Sequence, residues 1–201
     1  MAEKHPFTTT RRLLLASTSV HRKALLSRLQ IAFDSESPGV DEARAAGELP
    51  RDQAIRLALA KAQAVAVRHP GALVIGSDQV CALGDTVLGK PGTPAANRVM
   101  LAALSGRTAT FHTAVAIVGI EAGILHEHVD DTLCSFRELS QDEIARHVDR
   151  EPSLDCAGGF KAEGLGISLM NSIYSRDPTG LIGLPLIWVA EKIRPLLQPS
   201  A

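Results

Sequence analysis

The chain reads as an α/β fold, a mixed β-sheet with flanking helices arranged as two lobes around a cleft. Three observations predict it. Strand-like and helix-like segments alternate through the first half, as crossover units do. Two hairpin patterns follow, around Gly84-Asp85 and around Glu121-Ala122-Gly123. Charged residues interrupt the apolar runs at the junctions between segments, where the clefts of such sheets collect their functional groups.

Residues 1–10 are polar, are broken by Pro6 and read as a flexible leader. Residues 11–201 read as a single domain, because 201 residues with 45% hydrophobic content bury one sizeable core, with or without a small lobe. Residues 12–16 are an apolar buried strand, and residues 19–29 a helix with Ala24, Leu25 and Leu29 near one face. Residues 31–37 alternate as a half-buried strand does, until Pro38-Gly39 breaks the pattern. The strongest helical pattern covers residues 51–68. Residues 72–77 are a short apolar strand whose hairpin returns through Thr86-Val87-Leu88, and residues 94–104 are helical. Residues 108–118 and 124–136 form the longer hairpin. Ser140 starts a helix over residues 141–148, and Glu143 completes a capping box. Gly158, Gly159, Gly164 and Gly166 make an irregular region around Phe160, Lys161 and Glu163. The last helix, residues 184–197, buries Leu186, Ile187, Val189, Ala190 and Ile193.

Composition excludes several function classes. Twenty-one basic residues nearly balance 22 acidic ones, so no global field draws the chain to long nucleic acid or to an anionic membrane. No apolar run approaches the roughly 20 residues that span a bilayer. Residues 13–16 are too short for a signal-peptide core, which leaves a cytoplasmic location as the expectation. Cys81, Cys134 and Cys156 lie far apart and read as small buried hydrophobes in a reducing compartment. The sequence has no P-loop, nucleophile elbow or zinc-protease helix, and its glycine-rich region lacks the strand-to-helix context of a dinucleotide fold.

What remains is phosphate chemistry by lysines, an arginine and carboxylates. Ser17, Ser19 and Arg22 stand where an apolar strand gives way to a helix, so they either cap that helix or cradle phosphate at its N-terminus. Lys61 falls within the apolar arc of its helix, beside Leu57, Ala58 and Val65. It either snorkels past the core or points into a cleft that holds an anion. Asp78 follows Leu73-Val74-Ile75-Gly76-Ser77 at the end of an apolar strand; it caps a turn or, with Glu42, binds a divalent cation or orients a water. Lys90, between Gly89 and Pro91 in a rigid turn, either aims its charge at a fixed point or is a plain surface lysine. His126 and His128 share a strand face but lack a third ligand, and read as solvent-facing.

In order, LASTSVHRKALL, VDE, the Lys61-Ala62 pair, GSDQV, GKP and GLP resemble the Maf-like nucleoside triphosphate pyrophosphatases over nearly the whole chain. GSDQV and the segment CAGGFKAEG resemble the subgroup that acts on 7-methyl-GTP. The resemblance implies hydrolysis of 7-methyl-GTP to 7-methyl-GMP and pyrophosphate, removal of modified nucleotides from the pool, and a homodimer. One departure stands at the first helix, where the family has Ser-Pro-Arg-Arg and this chain has Ser19-Val20-His21-Arg22.

On this reading Mg²⁺ or Mn²⁺ bridges the triphosphate to Glu42 and Asp78, while Ser17, Ser19, Arg22, Lys61 and Lys90 hold phosphate oxygens and Asp78 activates water. Gln79 and Glu163 read the base edge and His21 borders it. Two alternatives stand beside this: the same hydrolysis on another noncanonical or pyrimidine triphosphate such as dTTP or UTP, and a non-catalytic nucleotide-binding regulator of division.

Overall fold

The computed structural model of the protein describes residues 7–199. Its strands are β1 (Phe7–Thr9), β2 (Leu13–Ala16), β3 (Asp34–Glu36), β4 (Leu73–Leu83), β5 (Thr86–Leu88), β6 (Thr108–Gly119), β7 (Ile124–Phe136), β8 (Met170–Tyr174) and β9 (Leu197–Pro199). The helices are α1 (Val20–Ser27), α2 (Pro50–Arg68), α3 (Pro94–Leu104), α4 (Gln141–Arg150) and α5 (Leu186–Ile193).

A seven-stranded mixed sheet runs in the order β3-β2-β4-β6-β7-β8, with β5 paired to β4. Its first half is parallel because the connections through α1 and α2 return the chain in the same direction. From β4 onward the pairing is antiparallel, as the hairpin patterns required.

The long strands β4, β6 and β7 run through both lobes. On one side Leu13, Leu15, Leu25, Ile75, Val189 and Ile193 join α1 and α5 to the parallel half. On the other, Leu101, Leu104, Phe111, Phe136, Ile144 and Phe160 join α3 and α4 to the antiparallel half. Phe160 meets Phe111 and Phe136 edge-on, with ring centroids 5.5 and 5.2 Å apart, which anchors the glycine-rich segment to the second core.

Helix α2 lies against β4 through Gly76. A Cβ there would stand 2.3 Å from the Ala58 carbonyl oxygen and 2.5 Å from the Ala62 nitrogen. Only a residue without a side chain permits this approach, and it brings Lys61 to the strand that carries Asp78.

Several expectations are corrected. Strand β4 does not end at Ser77 but continues to Leu83, so Asp78 lies within the strand. Its backbone stays paired with β6 from Val74 to Ala82, whatever the side chains do. The strand expected over residues 31–37 shrinks to Asp34–Glu36 at the sheet edge. Edge strand β8 was not foreseen, because Met170-Asn171-Ser172-Ile173-Tyr174 is too exposed to alternate cleanly. The last helix is shorter: Pro185 precedes it, a 3₁₀ turn over Arg194–Leu196 follows, and β9 pairs with β1. Of the leader, residues 1–6 lie outside the described residues and Phe7–Thr9 is a strand. The Ser140–Glu143 capping box is present.

Candidate active site

The two lobes leave a cleft of about 660 Å³ along the ends of β2 and α1, the inner face of α2 and the middle of β4. Ser17, Ser19, Arg22, Glu42, Lys61, Asp78 and Lys90 all line it. The segments that carry them are scattered along the chain and meet only here.

At the mouth of α1, Ser19 is the N-cap in an extended conformation, and its hydroxyl accepts the Arg22 amide at 3.4 Å. The Ser17 hydroxyl in turn accepts the Ser19 amide at 3.1 Å. Ser19 therefore caps the helix, Ser17 holds the capping residue in place, and both line the cleft. Arg22 is held from one side only, by donation from Nε to the Gly183 carbonyl at 3.0 Å. Burial depresses its pKa while Asp78 and Glu42 oppose that shift, so a cation is kept in a place that favours an anion.

Lys61 does not snorkel. It is 5% exposed, and its Nζ lies 2.6 Å from Glu42 Oε1 and 2.6 Å from Asp78 Oδ1. An ammonium buried on α2 is tolerable because two carboxylates meet it.

The two acids are not equivalent. Asp78 is buried, and desolvation raises its pKa against the pull of Lys61 and Arg22, with Glu42 adding to the rise. Glu42 is largely exposed; its modest burial is outweighed by the hydrogen bond and charge of Lys61 and by Lys90 and Arg22, so its pKa is lowered. Environments that push two neighbouring carboxyls apart in this way separate a base from an electrostatic partner.

The donor set suits a hard cation shared with a phosphate. Each carboxylate gives one oxygen to Lys61, and the other, Glu42 Oε2 or Asp78 Oδ2, carries no hydrogen bond among the described residues. Two free carboxylate oxygens, completed by water and phosphate, match the sites Mg²⁺ prefers. Among the described residues no cluster of three or more His, Cys, Asp or Glu forms a self-contained metal site. His126 is exposed, and His128 stacks on Trp188 at 5.3 Å.

A side compartment of about 210 Å³ opens from the cleft. His21, Gln79, Phe160, Lys161 and Glu163 line it, which unites the three residues expected to read a base. His21 Nδ1 and Glu163 Oε1 face each other at 3.7 Å. Gln79 is more constrained than its sequence position implied. Its Nε2 donates to Thr113 Oγ1, the Gly180 carbonyl and the Leu181 carbonyl, at 2.9, 3.0 and 2.9 Å. Only its carbonyl oxygen is left to meet a ligand. Cys156 also lines this compartment; burial, with Asp155 beside it, pushes its pKa up to about 11, so it stays a thiol.

Sequence reasoning missed the loop that holds these groups. The Gly183 carbonyl accepts both Arg22 Nε and Ser77 Oγ, and the Gly180 carbonyl accepts Gln79 Nε2 and Thr113 Oγ1. The GLP motif marked the place without disclosing its role. Gln53, one helix face along from Lys61 and 9% exposed, also lines the cleft, and no sequence pattern singles it out.

A sequence profile of the Maf family, described as Maf-like protein, matches residues 12–196. A relative from Xanthomonas oryzae pv. oryzae named 7-methyl-GTP pyrophosphatase is 57% identical over 91% of this chain and 95% of its own. Relatives of the same name are 52% identical in Aromatoleum aromaticum, over 91% of this chain and 94% of theirs, and 46% identical in Albidiferax ferrireducens, over 92% of each chain. No helix among the described residues is long and apolar enough to cross a membrane.

Proposed function

Because the chain belongs to the Maf-like protein family, we propose that it hydrolyses 7-methyl-GTP to 7-methyl-GMP and pyrophosphate and so removes modified nucleotides from the pool. The observation that carries this reading is the buried Lys61–Asp78 pair, met from the cleft side by the exposed Glu42, in a cleft that Arg22 and Lys90 also line.

The triphosphate lies along the cationic wall. Ser17 and Ser19 stand at the start of α1, where the helix dipole favours negative charge. Arg22, Lys61 and Lys90 neutralise charge that spreads over the phosphate oxygens in the transition state. Asp78, with its raised pKa, takes the proton of a water as the water oxygen bonds to the α-phosphorus. The bond from that phosphorus to the bridging oxygen breaks, and pyrophosphate leaves with the electron pair. Glu42 and Asp78 would hold Mg²⁺ or Mn²⁺, which supplies further charge neutralisation between the phosphates. Glu42, held ionised, keeps Lys61 in place.

In the side compartment the free Gln79 carbonyl faces the N–H donors of a guanine edge, and the Glu163 carboxylate complements the positive charge that methylation places on the ring. His21 borders the base and pairs with Glu163 in its absence. The three free cysteines among the described residues accord with a reducing, cytoplasmic setting.

The test is pyrophosphate release from 7-methyl-GTP, GTP, UTP and dTTP at equal concentration with Mg²⁺. Preferential cleavage of 7-methyl-GTP is expected. A preference for UTP or dTTP would overturn the base assignment, and no turnover on any of the four would favour a nucleotide-binding regulator.

A further inference from the structure

A nucleoside triphosphate has a fixed order of parts. With phosphates along the Lys61 wall and the base beside Phe160, the ribose must cross the place where cleft and side compartment share their lining. Asp155 stands at that junction, lining both, together with Ser19, His21, Arg22, Gln79 and Lys90.

Asp155 is the acid there least committed to another charge, its ion pair with Lys161 being long and exposed. Glu42 and Asp78 are tied to Lys61 at the phosphate end, and Glu163 faces His21 at the base end. The Asp155 side chain is 78% exposed; Oδ1 meets the Cys156 thiol at 3.6 Å and Lys161 Nζ only at 4.0 Å, and among the described residues no other side chain bonds the carboxylate. Its own backbone amide, then the charges of Lys161 and His21, hold the carboxyl below its ordinary range despite slight burial, so it is an acceptor at neutral pH.

The backbone around it is fixed to the loop that carries Lys90. Gly92 N donates to the Leu154 carbonyl at 2.9 Å, Gly158 N to the Gly89 carbonyl at 3.3 Å and Cys156 N to the Ser153 carbonyl at 3.3 Å. The carboxylate is therefore presented from a pinned turn, at a set position relative to Lys90.

We propose that Asp155 accepts hydrogen bonds from the ribose hydroxyls and makes this chain selective for ribonucleotides over 2′-deoxyribonucleotides. This rests on the nucleotide reading of the cleft, yet it does not depend on which base is bound. A carboxylate is a pure acceptor, and a vicinal diol offers it two donors, as when an acidic residue takes the ribose hydroxyl in dinucleotide sites.

The experiment compares kcat/KM for 7-methyl-GTP and its 2′-deoxy counterpart, and for GTP and dGTP, in the wild-type protein, Asp155→Asn and Asp155→Ala. The wild type is expected to favour the ribo form by roughly ten- to a hundredfold, the range for a hydrogen bond to a charged group. Asp155→Ala should collapse the ratio toward unity through loss on the ribonucleotide, and Asp155→Asn should fall between. A ratio that survives in Asp155→Ala, or the absence of one in the wild type, overturns the proposal. So does a parallel fall on both sugars, which would mean that Asp155 only anchors Lys161. If the wild type hydrolysed none of these nucleotides, the proposed activity would fail, while the same ratio in dissociation constants would still decide the ribose assignment.

Discussion

Replacing Gly76 with alanine tests the argument that close helix-to-strand packing positions the chemistry. Gly76 is two residues before Asp78, and the backbone it touches on α2, Ala58 and Ala62, flanks Lys61. The added Cβ would lie 2.3 Å from the Ala58 carbonyl oxygen, where ordinary contact begins near 3.4 Å. The obstacle is backbone, so no rotamer relieves it, and α2 must retreat from β4 by about 1 Å. Overpacking of this kind costs about 1–3 kcal/mol, and a protein of this size loses about 2–4 °C in Tm per kcal/mol. The same retreat draws Lys61 from its 2.6 Å contact with Asp78, and a displacement of about 1 Å near a reacting group costs on the order of a hundredfold in rate. Thermal unfolding and steady-state pyrophosphate release read the two effects separately. A Gly76→Ala protein with unchanged kcat and a Tm within about 2 °C of the parent, roughly the smallest shift these magnitudes allow, would refute the reasoning.

Other predictions follow from the charges. Asp78→Asn should lower kcat by roughly 10²–10⁴-fold, the contribution of a positioned base, and a variant that turns over normally would remove Asp78 from that role. Asp78 has a raised folded pKa, so its titration contributes stability that is present below the unfolded value and is lost as pH rises through the folded one; the Tm of the wild type relative to Asp78→Asn should therefore fall as pH rises through that range, and parallel pH profiles for the two proteins would contradict this. In the wild type the acid limb of kcat/KM should lie above the ordinary aspartate value of about 3.9, since Asp78 must be ionised to accept a proton. Removing the opposing charge with Lys61→Met should move the limb of the residual activity further up, and a downward move would show that Lys61 does not tune Asp78. Glu163→Gln should narrow the preference for 7-methyl-GTP over GTP by raising KM for the methylated substrate, and equal kinetics would assign charge recognition elsewhere.

Local pattern made much of the fold legible. Helix α3 begins at Pro94 after the Thr93 cap, and the Ser140 capping box starts α4, because these signals act within one turn of chain. The β4–β5 and β6–β7 hairpins were readable because their turns interrupt apolar runs on both sides. Edge strands β3 and β8 were not, or only in part, since half-solvated residues alternate weakly. The full length of β4 was hidden for a different reason. Ser77, Asp78 and Gln79 look like the end of a strand, while the backbone ladder to β6 continues beneath them.

The site divides in the same manner. Residue types in ordered motifs determined the membership of the cleft: every residue expected to touch phosphate or base lines one of its two compartments. Which of the two fates open to Lys61 applied was decided only by tertiary structure, since burial among apolar neighbours and pairing with carboxylates distant in sequence look alike on a helical wheel. The raised pKa of Asp78, the commitment of the Gln79 amide nitrogen to the 179–183 loop and the position of Asp155 between compartments were likewise settled by packing. A sequence pattern records which groups a segment carries. Desolvation, hydrogen-bond commitment and shared lining depend on what other segments bring alongside, and that exists only once the chain has folded.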